Sequence, residues 1–259
     1  LIAMALLGEN AMKCVPVALL LLLLLQLQAC ASSPTSSPQY ALEDYYHDEH
    51  FNAPSDLPSA ESLFYLSQSA ITAVRNDFNR AKLSKTNSLM RHQWLANYIN
   101  AQDGGFRYAD NVTRSASETF NDREGNCLSL VLLTAAIAKE FDIEVEFQEI
   151  DIPPIWDKQG GFYLVNGHIN LRLLPQERRN IVNLTAGAIQ IDFLPERAMQ
   201  GYDKRQVSQS MIASMFYNNI AAEALVNGQY DKAYGLLKLS LQQDSQFLPA
   251  INTLAVLYR

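Results

Sequence analysis

The sequence predicts an α+β fold: amphipathic helices first, then an antiparallel sheet, then a return to helix. Three observations predict it. Apolar residues recur at helical spacing through 59–141. Strand-like segments punctuated by turn residues follow between 143 and 193. From Val207 the helical period resumes, and it repeats itself after 34 residues. Helices ahead of strands argue against an alternating parallel-sheet architecture.

The chain begins with an export signal. Met12-Lys13-Cys14-Val15-Pro16 precedes an unbroken apolar block from Val17 to Leu25. One basic residue, a short apolar run and Leu27-Gln28-Ala29-Cys30 make residues 1–30 a secretory signal peptide. The block is shorter than the ~20 apolar residues a spanning helix needs. Residues 1–11 read as translated from upstream of a start at Met12, because Glu9 would set an acidic charge before the basic region. Leu27-Gln28-Ala29-Cys30 resembles the lipobox of bacterial lipoproteins, which implies that Cys30 is acylated and becomes the mature N-terminus. An ordinary signal peptide, or an uncleaved apolar anchor, is the plainer alternative. Ala31 stands where enteric inner-membrane lipoproteins carry Asp, so the expected location is the outer membrane of a bacterial envelope, facing the periplasm.

Residues 31–58 read as a disordered tether. It opens as Ala31-Ser32-Ser33-Pro34 and continues into an acidic, aromatic and Pro-containing stretch. His47, Asp48, Glu49 and His50 have metal-ligand chemistry, but no helix or sheet period fixes their geometry, and a solvated linker is the expectation. Residues 59–200 are expected to form one domain and 207–259 a helical appendage. Hydrophobic residues make up 48% of the chain, enough for a sizeable core. With 20 basic against 27 acidic residues the net charge is −7, and no basic stripe is present. That composition argues against nucleic-acid binding. No polybasic patch for anionic lipid appears either, so membrane attachment rests on the acyl anchor.

In chain order, Ser59 begins a helical pattern with Leu63, Leu66, Ala70, Ile71, Val74 and Phe78 on one face. A second helix is expected over Ser84 to Asn100, stopped by Asp103-Gly104-Gly105. Thr113 to Phe120 reads as a short helix with Ser/Thr starts and an acidic first turn. Cys127 to Phe141 is the strongest helix, with Asn126 as N-cap and Leu130, Leu133, Ala136 and Ile137 in period. Strands are expected at Ile143 to Ile150, Gly161 to Leu173 and Asn183 to Phe193, with Asn166-Gly167 as a tight turn that splits the middle one into a hairpin.

After Val207, Tyr217, Ala221 and Ala224 recur 34 positions later as Ile251, Ala255 and Tyr258. Together with Gly228 to Leu237 this resembles a tetratricopeptide repeat, which implies a protein partner for these helices. Such stacks usually need about three repeats, so a longer protein continuing past Arg259 is expected. A simple helical hairpin is the alternative.

One thiol stands out. Cys14 and Cys30 belong to the export segment, leaving Cys127 without an evident disulfide partner. It opens a helix, where backbone N–H groups and the dipole favour a thiolate and can stabilise an oxyanion. A cysteine nucleophile also needs an imidazole and a group to orient it. Of the four histidines, His47 and His50 lie in the tether and His92 within a helix before the thiol. His168 opens a strand in which His168, Asn170 and Arg172 share one face and Ile169, Leu171 and Leu173 the other. Parity in the last strand puts Asp192 and Gln190 opposite Ile189, Ile191 and Phe193, so a neighbouring strand brings Asp192 against His168.

The order helix-Cys, strand-His, strand-Asp resembles the transglutaminase-like superfamily of papain-type thiol enzymes, over roughly Ser84 to Glu196. The resemblance is most specific in Thr113-Arg114-Ser115-Ala116-Ser117-Glu118-Thr119-Phe120 and in Arg123-Glu124-Gly125-Asn126-Cys127, which are similar to a Thr/Ala helix and an Arg-x-Gly-x-Cys turn. Asn126 replaces the Asp that many relatives carry before the cysteine. Residue by residue, the resemblance implies Cys127 as nucleophile, His168 as its histidine and Asp192 as the acid. It implies a papain-like fold, an acyl-enzyme mechanism on amides and no cofactor or metal. The expected substrate is a peptide or protein, cell-wall peptide included. Trp156, in a loop, and Gln148, as an oxyanion donor, are further candidates whose ordinary readings are packing and an exposed strand edge. Each of the three site residues also has an ordinary reading: a packed cysteine, a surface strand histidine and a turn-forming acid before Pro195. The rival class is a non-catalytic envelope scaffold that recruits protein partners through its helical repeats.

Overall fold

A computed structural model describes residues 41–84, 90–100, 105–110, 112–159, 162–175, 187–193 and 201–259. The signal peptide, Cys30 and the tether through residue 40 lie outside the described residues, as do 183–186 of the third expected strand and Pro195. Residues 46–259 form one compact unit, and of the preceding unit only a short 3-10 turn at Leu42–Tyr45 is described. The fold is α+β: helices packed with an antiparallel sheet.

The first expected helix is broken in two. Helix α1, Ala60–Leu63, is capped by the Ser59 hydroxyl, and α2, Gln68–Ser84, starts after a turn. The amides of Phe64 and Tyr65 fold back onto the Glu61 and Ser62 carbonyls, and the Ser67 hydroxyl accepts from Ala70 N–H. These local serine and turn bonds outcompete continuation of the helix. Helix α3 spans Arg91–Asn100, while 85–89 of the expected helix and 103–104 of its expected stop lie outside the described residues. Strand β1, Arg107–Tyr108, leads to α4, Ala116–Asp122, which carries a capping box between Ser115 and Glu118. Arg123 then ends α4 in the left-handed region, φ 58°, and strand β2, Glu124–Gly125, pairs in parallel with β1.

Helix α5, Cys127–Glu140, is the centre of the fold. Leu128 through Ala138 are all buried, and Val131, Leu132 and Leu133 are fully so. A helix apolar on every side is one surrounded by other elements.

The sheet has the order β5-β4-β3-β6, with β3 at Val145–Gln159, β4 at Phe162–Leu173, β5 at Ile189–Ile191 and β6 at Lys204–Val207. Every pairing is antiparallel. Three expectations are corrected here. Asn166-Gly167 does not turn: β4 runs straight through it, Asn166 pairing with Ile155 and His168 with Ile150. The irregularity falls on β3, where residues 151–154 stand opposite Gly167 alone. Pro153 and Pro154 lack the amide a ladder needs, so the extra length is absorbed there as a bulge. Trp156, expected in a loop, lies within β3 opposite Val165. Gln148, expected at an edge, sits on an interior strand, because β6, which has no sequence-level counterpart, covers β3 through Gln148↔Gln206.

Helices α6, Gln209–Val226, α7, Tyr230–Gln243, and α8, Leu248–Leu257, complete the unit. Ser214 and Ser240 exchange hydroxyl-to-carbonyl hydrogen bonds of 2.9 and 2.7 Å, which bring α6 and α7 close, and Thr253 on α8 donates to Asn218 on α6 at 2.9 Å. Among the described residues no helix is long and apolar enough to cross a membrane.

The tether expectation fails for residues 46–58, which form a strap on the C-terminal helices. Phe51 stacks on Tyr234 at 4.3 Å, and the Tyr234 hydroxyl accepts from His47 N–H and donates to Asp48. Asn52 N–H donates to Asp231, and Tyr217 donates to the Pro58 carbonyl. Opposite Gly235 the strap comes so close that an added Cβ would lie 2.9 Å from Ala53 and 2.8 Å from Leu57. The aromatic residues that seem merely solvated in a linear reading have a buried surface to meet.

Candidate functional site

Local sequence sets the sulfur at the first position of α5. Gly125 passes so near α5 that a Cβ would lie 2.6 Å from the Ser129 Cβ, a space only glycine fits. Asn126 follows with extended backbone (φ −72°, ψ 178°), and its Oδ1 accepts from Ser129 N–H at 2.9 Å and from the Ser129 hydroxyl at 2.8 Å. That is an N-cap, which starts the helix at Cys127. The cysteine is partly exposed and is a free thiol.

Sheet register supplies the partners. His168 and Asn170 point to one face of β4, and Asp192 is the first residue beyond β5. His168 Nε2 lies 2.8 Å from Asp192 Oδ1, with the imidazole 1% exposed. The Cys127 side chain lies near enough to the same ring to help raise its pKa. With Nε2 taken by the carboxylate, Nδ1 is the nitrogen left for exchange with a thiol. The structure therefore brings together Cys127, His168 and Asp192. His92 is buried on α3 with no hydrogen-bond partner at Nε2, and burial holds it below the usual histidine range. His47 and His50 belong to the strap.

The electrostatics favour a charged ring. Burial pushes the His168 pKa down, but the hydrogen bonds to Asp192 and Cys127, with the negative charge of each, more than offset it and raise the value to about 9. The Asp192 carboxylate 2.8 Å away favours the charged form of the ring near neutral pH.

Three further residues adjoin the site: Asn170 and Gln148, both visible in the sequence pattern, and Tyr108, which is not. Asn170, fully buried, donates Nδ2 to Asp192 Oδ2 at 2.8 Å and so fixes the carboxylate from the side away from the ring. Gln148 is its cross-strand neighbour and keeps a buried Oε1 without a hydrogen-bond partner. Tyr108 reaches the neighbourhood of the thiol because β1 pairs Tyr108 with Gly125, two residues before Cys127. Burial, a 2.5 Å hydrogen bond to Asp110 and the field of Cys127 all hold its phenol protonated. A strand pair of two residues has too little pattern to be read from sequence. Among the described residues no group of three or more His, Cys, Asp or Glu side chains is placed to hold a metal ion.

Comparison with protein-family models, with curated proteins and with solved structures returned no match to this chain.

Proposed function

We propose that the chain is a cysteine-dependent amide-bond enzyme of the transglutaminase-like, papain-type class, acting on peptide or protein substrates in the bacterial envelope. The observation that carries this reading is the His168–Asp192 pair at 2.8 Å, with Cys127 at a helix N-terminus near enough to act on the same ring. A thiolate at Cys127 attacks the amide carbonyl, and the first-turn amide N–H of Cys127 supplies a donor to the developing oxyanion. His168 passes its Nδ1 proton to the departing amine, leaving a thioester on Cys127. The neutral ring then takes a proton from water, or from an acceptor amine, as that nucleophile attacks the thioester. Release of the acid or the new amide returns sulfur as thiolate and the ring as imidazolium. Asp192, held by Asn170, fixes the ring orientation and stabilises its charge throughout. Hydrolysis is the favoured second half, since water is abundant and no amine site is legible.

In this reading Cys30 anchors the protein to the outer membrane through acyl chains, and α6–α8 are tetratricopeptide-like helices that take a protein partner. No cofactor is required. The test is acylation by a thiol-directed acyl probe at neutral pH, with the label mapped by mass spectrometry. Cys127 is expected to react faster than a free thiol, and both Cys127→Ala and His168→Ala to lose that labelling with the fold retained. Labelling of Cys127 no faster than glutathione would leave a non-catalytic scaffold.

A further inference from the structure

The start of α5 is tied to the C-terminal helices by side chains. Asn126 Nδ2 donates to Thr113 Oγ1 at 2.9 Å, and Thr113 N–H donates to Glu223 Oε1 at 2.8 Å. Arg114 N–H, the next amide, donates to Ser129 Oγ at 2.8 Å. Thr113 and Arg114 therefore clamp the cap of α5, and Glu223, near the C-terminal end of α6, clamps Thr113.

Packing alone does not call for an acid at this place. Burial raises the Glu223 pKa, against the hydrogen bonds from Thr113 and the charges of Arg114 and Lys232. An apolar side chain would fill the same volume without that cost, and a half-buried carboxylate of this kind is kept where its direction matters. Its direction here runs to the residue before the sulfur. Displacing the cap moves the sulfur relative to an imidazole whose own position is set separately, by Asp192 and the sheet. Sub-ångström misplacement of a reacting group is enough to slow chemistry.

We infer that Glu223 is a positioning residue for the Cys127 thiol, acting through Thr113 and Asn126, so that the C-terminal helices form part of the catalytic apparatus. The inference rests on the thiol-enzyme reading above. In the full chain, the maximal acylation rate and the probe's half-saturation concentration are measured for Glu223→Leu, Glu223→Gln, Thr113→Val and the Glu223→Leu/Thr113→Val pair, beside thermal melting. Glu223→Leu is expected to lower the maximal rate about ten-fold, the effect of roughly one buried charge-assisted hydrogen bond, with half-saturation unchanged. Glu223→Gln, which keeps an acceptor for Thr113 N–H, is expected to stay within about two-fold of wild type. Thr113→Val breaks the same line at its middle, so the pair should lose no more than the worse single variant. Unchanged rates in Glu223→Leu, or losses that simply add, overturn the inference while leaving the enzyme reading intact. Should Glu223→Leu fail to fold, a wild-type rate in Thr113→Val is the overturning result. A wild-type thiol of ordinary reactivity overturns both.

Discussion

Asp192→Asn separates charge from geometry at the centre of the site. The amide Oδ1 still accepts where the carboxylate oxygen lies 2.8 Å from His168 Nε2, and a turned Asn170 amide, whose Oδ1 is otherwise unpaired, accepts from the new NH2, but the negative charge is gone. In the wild type the ring titrates at about 9, against an ordinary value of 6.5. That gap corresponds to ~3 kcal/mol favouring the charged ring, and Asp192 and Cys127 supply it together against desolvation. Without the Asp192 charge, desolvation is opposed by Cys127 alone, so the substitution brings the midpoint down. Solvent screening weakens this little, since the imidazole is 1% exposed. The assay is an NMR titration of the ring Cε1–H signals, with His168 assigned by its loss in His168→Gln. A wild-type midpoint near 6.5, or one that Asp192→Asn leaves in place, refutes the reasoning. Linkage gives a second readout. A group whose folded pKa is raised stabilises the fold fully below the unfolded value and loses that contribution as pH rises through the folded value. Stability should therefore decline between pH 6.5 and about 9 in the wild type, and decline less steeply in Asp192→Asn.

Gly125→Ala sets a Cβ 2.6 Å from the Ser129 Cβ; overpacking of this kind costs about 1–3 kcal/mol, read by urea denaturation, and the displaced cap should also slow Cys127 acylation. A wild-type denaturation midpoint would show that the approach relaxes freely. Tyr234→Phe removes the hydroxyl that serves both His47 N–H and Asp48, at a net cost of about 1 kcal/mol. The expected result is faster amide hydrogen exchange across 46–58 with exchange in α5 unchanged; equal protection in the strap would show that its other ties, the Phe51 stacking and the Asn52–Asp231 and Tyr217–Pro58 hydrogen bonds, hold it without the hydroxyl.

Helix α5 was legible because one local pattern carries it: a capping Asn, apolar residues at helical spacing and Lys139 in the last turn. Its start, which places Cys127 at the N-terminus, follows from the cap alone. Face parity also put His168 and Asp192 on a common side, since alternation along a strand is a local rule. The sheet's order was not legible. Strand β6 is four residues long with an exposed Lys-Arg-Gln start, and such an edge strand has no apolar alternation to announce it. The Asn166-Gly167 pair carried a turn signal that lost to tertiary context. Strand pairing on both sides of it holds the backbone extended, and Pro153-Pro154 on the opposite strand takes up the irregularity. The strap at 46–58 looked like a linker because its aromatic residues follow no period; their partners lie some 180 residues away on α7.

By itself the sequence determined the secondary-structure class, the start of the thiol-bearing helix and the faces of the strands, because caps and periodicities act over a few residues. Tertiary structure alone decided which strands are neighbours, that Asn170 holds Asp192, that Tyr108 pairs with Gly125 just before the thiol, and that Glu223 holds Thr113 against the cap of α5. These are contacts between residues far apart in the chain, fixed by how helices and sheet close around a shared core, and no local pattern encodes them.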